Sequence, residues 1–142
     1  MRAVVTFDFV TDPATVRMVR NLAAAASRIE GATDLEAFLI AVAIGEVLAQ
    51  ERSWDNGEAG SVTMRMELAR GRFIASVTGH DSARQRDIPT NADADHGLAW
   101  GLYVIAQVMD EVEIRQPSRK GQVSELRLVK RLGEDRLAKK GG

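Results

Sequence analysis

At the start of the chain, Ala3, Val5, Phe7 and Phe9 alternate with Val4, Thr6 and Asp8. That period of two predicts a strand with one buried face. Thr11-Asp12-Pro13 then offers a capping oxygen and a proline suited to a first helical turn. The helix that follows carries Val16, Val19, Ala23 and Ala26 on its apolar face, points its arginines elsewhere, and stops at Gly31. Thr33 and Glu36 read as a capping box opening a second helix over 34–51. This helix is apolar almost all round, so it is expected to be covered by protein on most sides.

Val62, Met64, Met66 and Leu68 again alternate, Arg70-Gly71 makes a turn, and Phe73, Ala75 and Val77 return as the second arm of a hairpin. The stretch 79–95 has no period and exceeds the usual length of a connection, which is the look of a lid. A third helix is predicted over 98–109, with Leu98, Leu102, Ile105 and Met109 on one face. Val112 and Ile114 start a strand, 116–121 turns, and 122–130 comes back. From 131 to 142 there are charges and little to bury, so fraying is expected. The pattern gives one domain over 1–132 and a frayed tail over 133–142. The order strand, helix, helix, hairpin, loop, helix, hairpin predicts an α+β fold, a single mostly antiparallel sheet covered on one face by three helices.

Composition narrows the function classes. At 142 residues one core can bury roughly 70% of the chain's surface, and the absence of cysteine excludes disulfides and thiolate metal sites. Nineteen Lys and Arg against 20 Asp and Glu leave a formal charge of -1, with the arginines scattered, so no field gathers nucleic acid. The longest apolar run, 37–49, contains a glutamate and is too short to span a bilayer, and Met1-Arg2 leads into a strand pattern. The expectation is a cytoplasmic protein with no membrane and no direct nucleic-acid partner.

The residue that stands out is Glu46, the one ionisable side chain between Ala37 and Ala49. A charge held inside a covered helix needs polar neighbours, since burying it unpaired is costly. Gln50, one turn later, presents an amide on the same face. Two readings stay open: Glu46 pairs with an arginine of the first helix or of a hairpin, or it lines a cavity. Gly79-His80-Asp81 follows a strand end, where a plain turn or a ligand contact would serve, and Gly97 and Gly101 flank the start of the third helix, whose free N–H groups can meet an anion. His80 and His96 lack a third ligand at metal spacing and read as loop histidines; Trp54 and Trp100 read as packing anchors. No Ser-His-Asp ordering and no Walker-type Gly-Lys-Ser/Thr is present.

The tract 44–50, the strand 73–78 ending at Gly79-His80-Asp81, and Gly97-Leu98-Ala99-Trp100-Gly101-Leu102-Tyr103-Val104-Ile105 running on to Val112 resemble the anti-sigma-factor serine kinases. These belong to the histidine-kinase-like ATPases of the Bergerat fold, and the likeness extends to about Leu132. The resemblance implies ATP with Mg2+ as cofactor, Glu46 as the catalytic acid-base residue acting on the attacking hydroxyl, and Gln50 at the position of the magnesium-binding Asn. It implies nucleotide contacts at Gly79, Asp81, Gly97, Gly101, Leu102, Gly121 and Gln122.

Several positions depart from the family pattern. Gly79 stands where an Asp accepts from the adenine amino group, and Asp81 can replace it only with a shift of two residues. Ala99 replaces a glycine, and Gly121-Gln122 replaces a Gly-Thr pair. Each lost hydrogen bond of a buried polar pair costs roughly 1 to 3 kcal/mol. Two functions are therefore expected to compete. One is an anti-sigma-type regulator that binds a sigma factor or an anti-sigma antagonist, and phosphorylates a serine of the antagonist. The other is a nucleotide-independent protein-binding module on the same scaffold. The resemblance also implies a homodimer.

Overall fold

The structure, a computed structural model, describes residues 2–54, 60–79, 101–115 and 125–133, with side chains described up to residue 49 in the first segment. Its elements in chain order are β1 (Arg2–Val10), α1 (Pro13–Ile29), α2 (Asp34–Trp54), β2 (Ser61–Ala69), β3 (Arg72–Gly79), α3 (101–108), β4 (Glu111–Arg115) and β5 (Glu125–Arg131). The five strands form one sheet in the order β1-β2-β3-β5-β4, and every neighbouring pair is antiparallel. The helices lie on one face, which gives the α+β architecture that the patterning predicts.

The local chemistry explains the element boundaries. Asp12 caps α1 by accepting from the Thr15 backbone N–H at 3.3 Å and the Thr15 hydroxyl at 2.5 Å. Those two bonds hold its carboxyl below the usual aspartate range. At the other end Gly31 turns the chain at φ +103°, where a side chain would be strained. The capping box at the start of α2 is complete: the Thr33 N–H donates to Glu36 Oε1 at 2.9 Å, and the Glu36 N–H to Thr33 Oγ1 at 3.1 Å. Arg70 and Gly71, both with positive φ, form the tight turn between β2 and β3.

The core lies between the helices and the inner face of the sheet. Val62, Met64, Met66 and Leu68 of β2 pair across the ladder with Gly79, Val77, Ala75 and Phe73 of β3. All eight are buried against Ile40, Ala43, Ile44, Val47 and Leu48 of α2 and Ile105 of α3. The remaining side of α3 is tied down by Lys130, whose buried ammonium donates to the Val108 carbonyl at 2.7 Å. The outer face carries the polar Thr6, Thr63, Arg65, Ser76, Thr78 and Arg127, with Val4 and Val10 exposed at the β1 edge. Ile74 and Val129 are apolar exceptions, paired with each other and buried.

Four expectations need correction. Val5 shares the inner register with Met66 but is 51% exposed, because β1 is an edge strand beyond the main helix layer. Leu35 and Phe38 are 65% and 61% exposed, so α2 is open on one side near its start. Arg20 of α1 does not point away: it packs across Gly45 of α2. The chain beyond β5 is pinned at first, with Leu132 buried and its N–H donating to the Gly71 carbonyl at 2.7 Å, while Gly133 donates to Glu36 Oε1 at 3.0 Å. Residues 134–142 and most of the segment 79–95 lie outside the described residues. Among the described residues no helix is long and apolar enough to cross a membrane.

Candidate functional site

The path of the two long helices fixes where Glu46 sits. Thr11 accepts from and donates to Gly60 through backbone and hydroxyl, so α1 begins at the sheet end where β2 starts and β3 finishes. It ends at the opposite margin, where Glu30 accepts from the Gly71 N–H at 3.0 Å. From there α2 runs back, antiparallel to α1, and the Arg20–Gly45 contact confirms that register. Glu46 therefore lies in the half of α2 that returns toward the Gly79 end of β3.

Glu46 is half-buried, and among the described residues neither a hydrogen bond nor an ion pair reaches its carboxyl. The reading in which it pairs with an arginine of the first helix or a hairpin is thus not realised there. The arginine nearest in sequence register, Arg20, lies over the preceding residue instead: an added Cβ on Gly45 would sit 3.1 Å from Arg20 Nε. That Nε is buried and has no hydrogen-bond partner. Among the described residues, then, the α1–α2 seam holds a buried donor without a partner at Arg20, and the next residue after Gly45 carries a carboxyl without one. Sequence reasoning missed Arg20; its signal was the glycine facing it, which leaves room for a guanidinium on the helix surface.

Gly79 closes β3 opposite Val62 and is buried. It has no side chain with which to accept a hydrogen bond, so the strand end supplies backbone alone. Gly101 is buried and Leu102 half-buried at the beginning of the described part of α3. The α3 helix is anchored at its other end, where the Asp110 N–H donates to the Val129 carbonyl at 2.9 Å and Asp110 Oδ2 accepts from the Arg131 N–H at 2.6 Å. Glu46, Gly79, Gly101 and Leu102 all belong to the helix-covered side of the sheet. Asp81, Gly97, Gly121 and Gln122 lie outside the described residues, as does the side chain of Gln50.

Tested against ATP with Mg2+, the described part of the donor set fits in one respect and falls short in another. Glu46 offers a carboxyl without a partner among the described residues; Gly79 offers no side-chain acceptor for a base. Among curated proteins, no sequence matches the chain. The profile of the histidine kinase-like ATPase domain matches residues 9–130, which takes in every element from the end of β1 to β5. The chain belongs to the histidine kinase-like ATPase domain family.

Proposed function

We propose that the protein is an anti-sigma-type regulator that binds a sigma factor or an anti-sigma antagonist in the cytoplasm and phosphorylates a serine of the antagonist. The observation that carries this reading is Glu46, a half-buried carboxyl without a hydrogen-bond or ion-pair partner among the described residues, on the second helix of an ATPase fold. In the reaction Glu46 takes the proton of the attacking serine hydroxyl. Bound ATP with Mg2+ supplies the phosphoryl group to be transferred. Gln50 is assigned to the metal. Gly79, Asp81, Gly97, Gly101, Leu102, Gly121 and Gln122 are assigned to the nucleotide. The open edge of β1, where Val4 and Val5 are 44% and 51% exposed, is the place for a second copy to form a homodimer.

The buried Gly79 favours a second reading, a nucleotide-independent protein-binding module, because the strand end lacks a carboxylate for the adenine amino group. Melting curves with Mg-ATP and Mg-ADP separate the two. A ligand at 100 times its dissociation constant stabilises the fold by about 2.7 kcal/mol, which at this chain length raises Tm by roughly 8 °C. A rise of that order, with transfer of label from ATP to an antagonist serine, is the result expected for the kinase. An unchanged Tm at millimolar nucleotide assigns the protein to the second reading.

A further inference from the structure

The outer face of the sheet, away from the helices, holds an open hollow of about 360 Å3. The strand register explains its composition. Thr6, Arg65, Ser76, Arg127 and Glu113 form one row across all five strands. The neighbouring row runs Asp8, Thr63, Thr78, Glu125 and Arg115. Ser76 between Arg65 and Arg127 in the first row, and Thr63 and Thr78 between Asp8 and Glu125 in the second, leave a floor of small hydroxyl residues with longer charged side chains around it.

Arg65 and Arg127 are each one strand from Ser76, so their backbones are about 10 Å apart with a short side chain between them. Both line the hollow, together with Arg115. Arg115 is occupied: Glu113 accepts from its Nε at 3.2 Å, and with Glu125 nearby this raises its pKa further. Among the described residues Arg65 reaches Glu67 alone, at 3.3 Å, and Glu67 is shared with Arg2 at 2.8 Å. Arg127 makes neither an ion pair nor a hydrogen bond within the described residues, and the same holds for the hydroxyls of Thr6, Ser76 and Thr78. The lining thus carries three guanidinium groups and one carboxylate, Glu125; Glu113 and Glu67 beside it offset Arg115 and Arg65, which leaves Arg127, opposite Glu113, as the guanidinium without an ion pair among the described residues.

We propose that this hollow binds a small phosphate monoester of a hydroxylated compound, with the phosphate between Arg65 and Arg127 above Ser76. A tetrahedral dianion can accept from both forks at once and offsets two positive charges, whereas a planar monocarboxylate meets one fork. The free hydroxyls of Thr6 and Thr78 flank that position and suit the ligand's own hydroxyl groups. The site lies on the face of the sheet opposite Glu46 and is independent of the nucleotide assignment.

The test is a titration of the 15N-labelled full chain with glycerol 2-phosphate, with inorganic phosphate as a second arm, at constant ionic strength balanced by chloride. Saturable shifts are expected at the amides of Arg65, Ser76 and Arg127, with glycerol 2-phosphate bound more tightly than inorganic phosphate. Arg127→Gln and Arg65→Gln should each weaken binding about tenfold or more, and Arg127→Lys by less, with no change in Tm for the two Arg127 variants. The proposal is overturned by shifts that never saturate, by shifts confined to α2 and α3, by equal affinity for the two phosphates, or by an Arg127→Gln protein that binds like the parent.

Discussion

Two glutamates on one helix have opposite surroundings. Glu36, in the first turn of α2, is only 8% exposed, yet its carboxyl accepts from the Thr33 and Gly133 N–H groups and sits at the end of the helix whose dipole favours a negative charge. Around it the α1–α2 turn, the β2–β3 turn and the end of β5 are joined by further backbone bonds. Glu46, ten residues on, has no such donors among the described residues and is past the reach of the N-terminal dipole. One acid is explained by the fold's own bonding. The other has no such explanation among the described residues, and the proposed phosphoryl transfer would supply one.

Substitutions should widen or close that contrast. The largest effect is expected from Glu36→Ala, which removes a buried carboxyl and leaves the Thr33 and Gly133 N–H groups without their acceptor, and should cost about 3 kcal/mol in urea unfolding. A loss below about 0.5 kcal/mol would mean that the three-way junction is not held by this carboxyl. Next comes Gly133→Ala. Gly133 has φ +50°, and an added Cβ would lie 2.4 Å from the Gly31 carbonyl oxygen, backbone that cannot step aside. A loss of about 2 kcal/mol is expected, and an unchanged midpoint would show that the tail is not seated there.

The smallest effect is electrostatic. The bonds from Thr15 lower the pKa of Asp12; in Glu67 burial pulls upward, but the hydrogen bond from Arg2 and the charge of Arg65 prevail, so it too is lowered. A carboxyl with a depressed folded pKa stabilises fully above its unfolded value, near 4, and loses that contribution as pH falls through the folded value. Tm should therefore hold from pH 7 to 5 and decline below 4. Asp12→Asn should flatten part of the decline; an acid limb identical to the parent's would remove Asp12 from that account.

Much of the fold is legible in the sequence because its signals are local. Asp12-Pro13, Gly31 and the Thr33–Glu36 box specify helix ends through atoms a few residues apart, and the alternations in β2 and β3 name their own buried faces. What escapes is what depends on strand order. Nothing local says that β1 ends at an open edge, so Val5 reads as buried. Nothing local sets Arg65, Ser76 and Arg127 in one row, or tells that Glu36 serves Gly133 as well as its own cap. At the candidate site Glu46 was visible as a lone acid in an apolar run, and Gly79 as a residue lacking a side chain where a carboxylate would be useful. The placement of Arg20 over Gly45 was hidden, because a helix packing register is not written in either helix alone.

The most direct test of Glu46 is a paired measurement on the Glu46→Gln protein: transfer of the terminal phosphate of ATP to a serine of an antagonist protein, and urea unfolding of the same sample. Transfer is expected to fall at least 100-fold, with the unfolding free energy within about 0.5 kcal/mol of the parent's. Undiminished transfer, no transfer by the parent itself, or a loss of stability as large as that of Glu36→Ala would contradict the assignment.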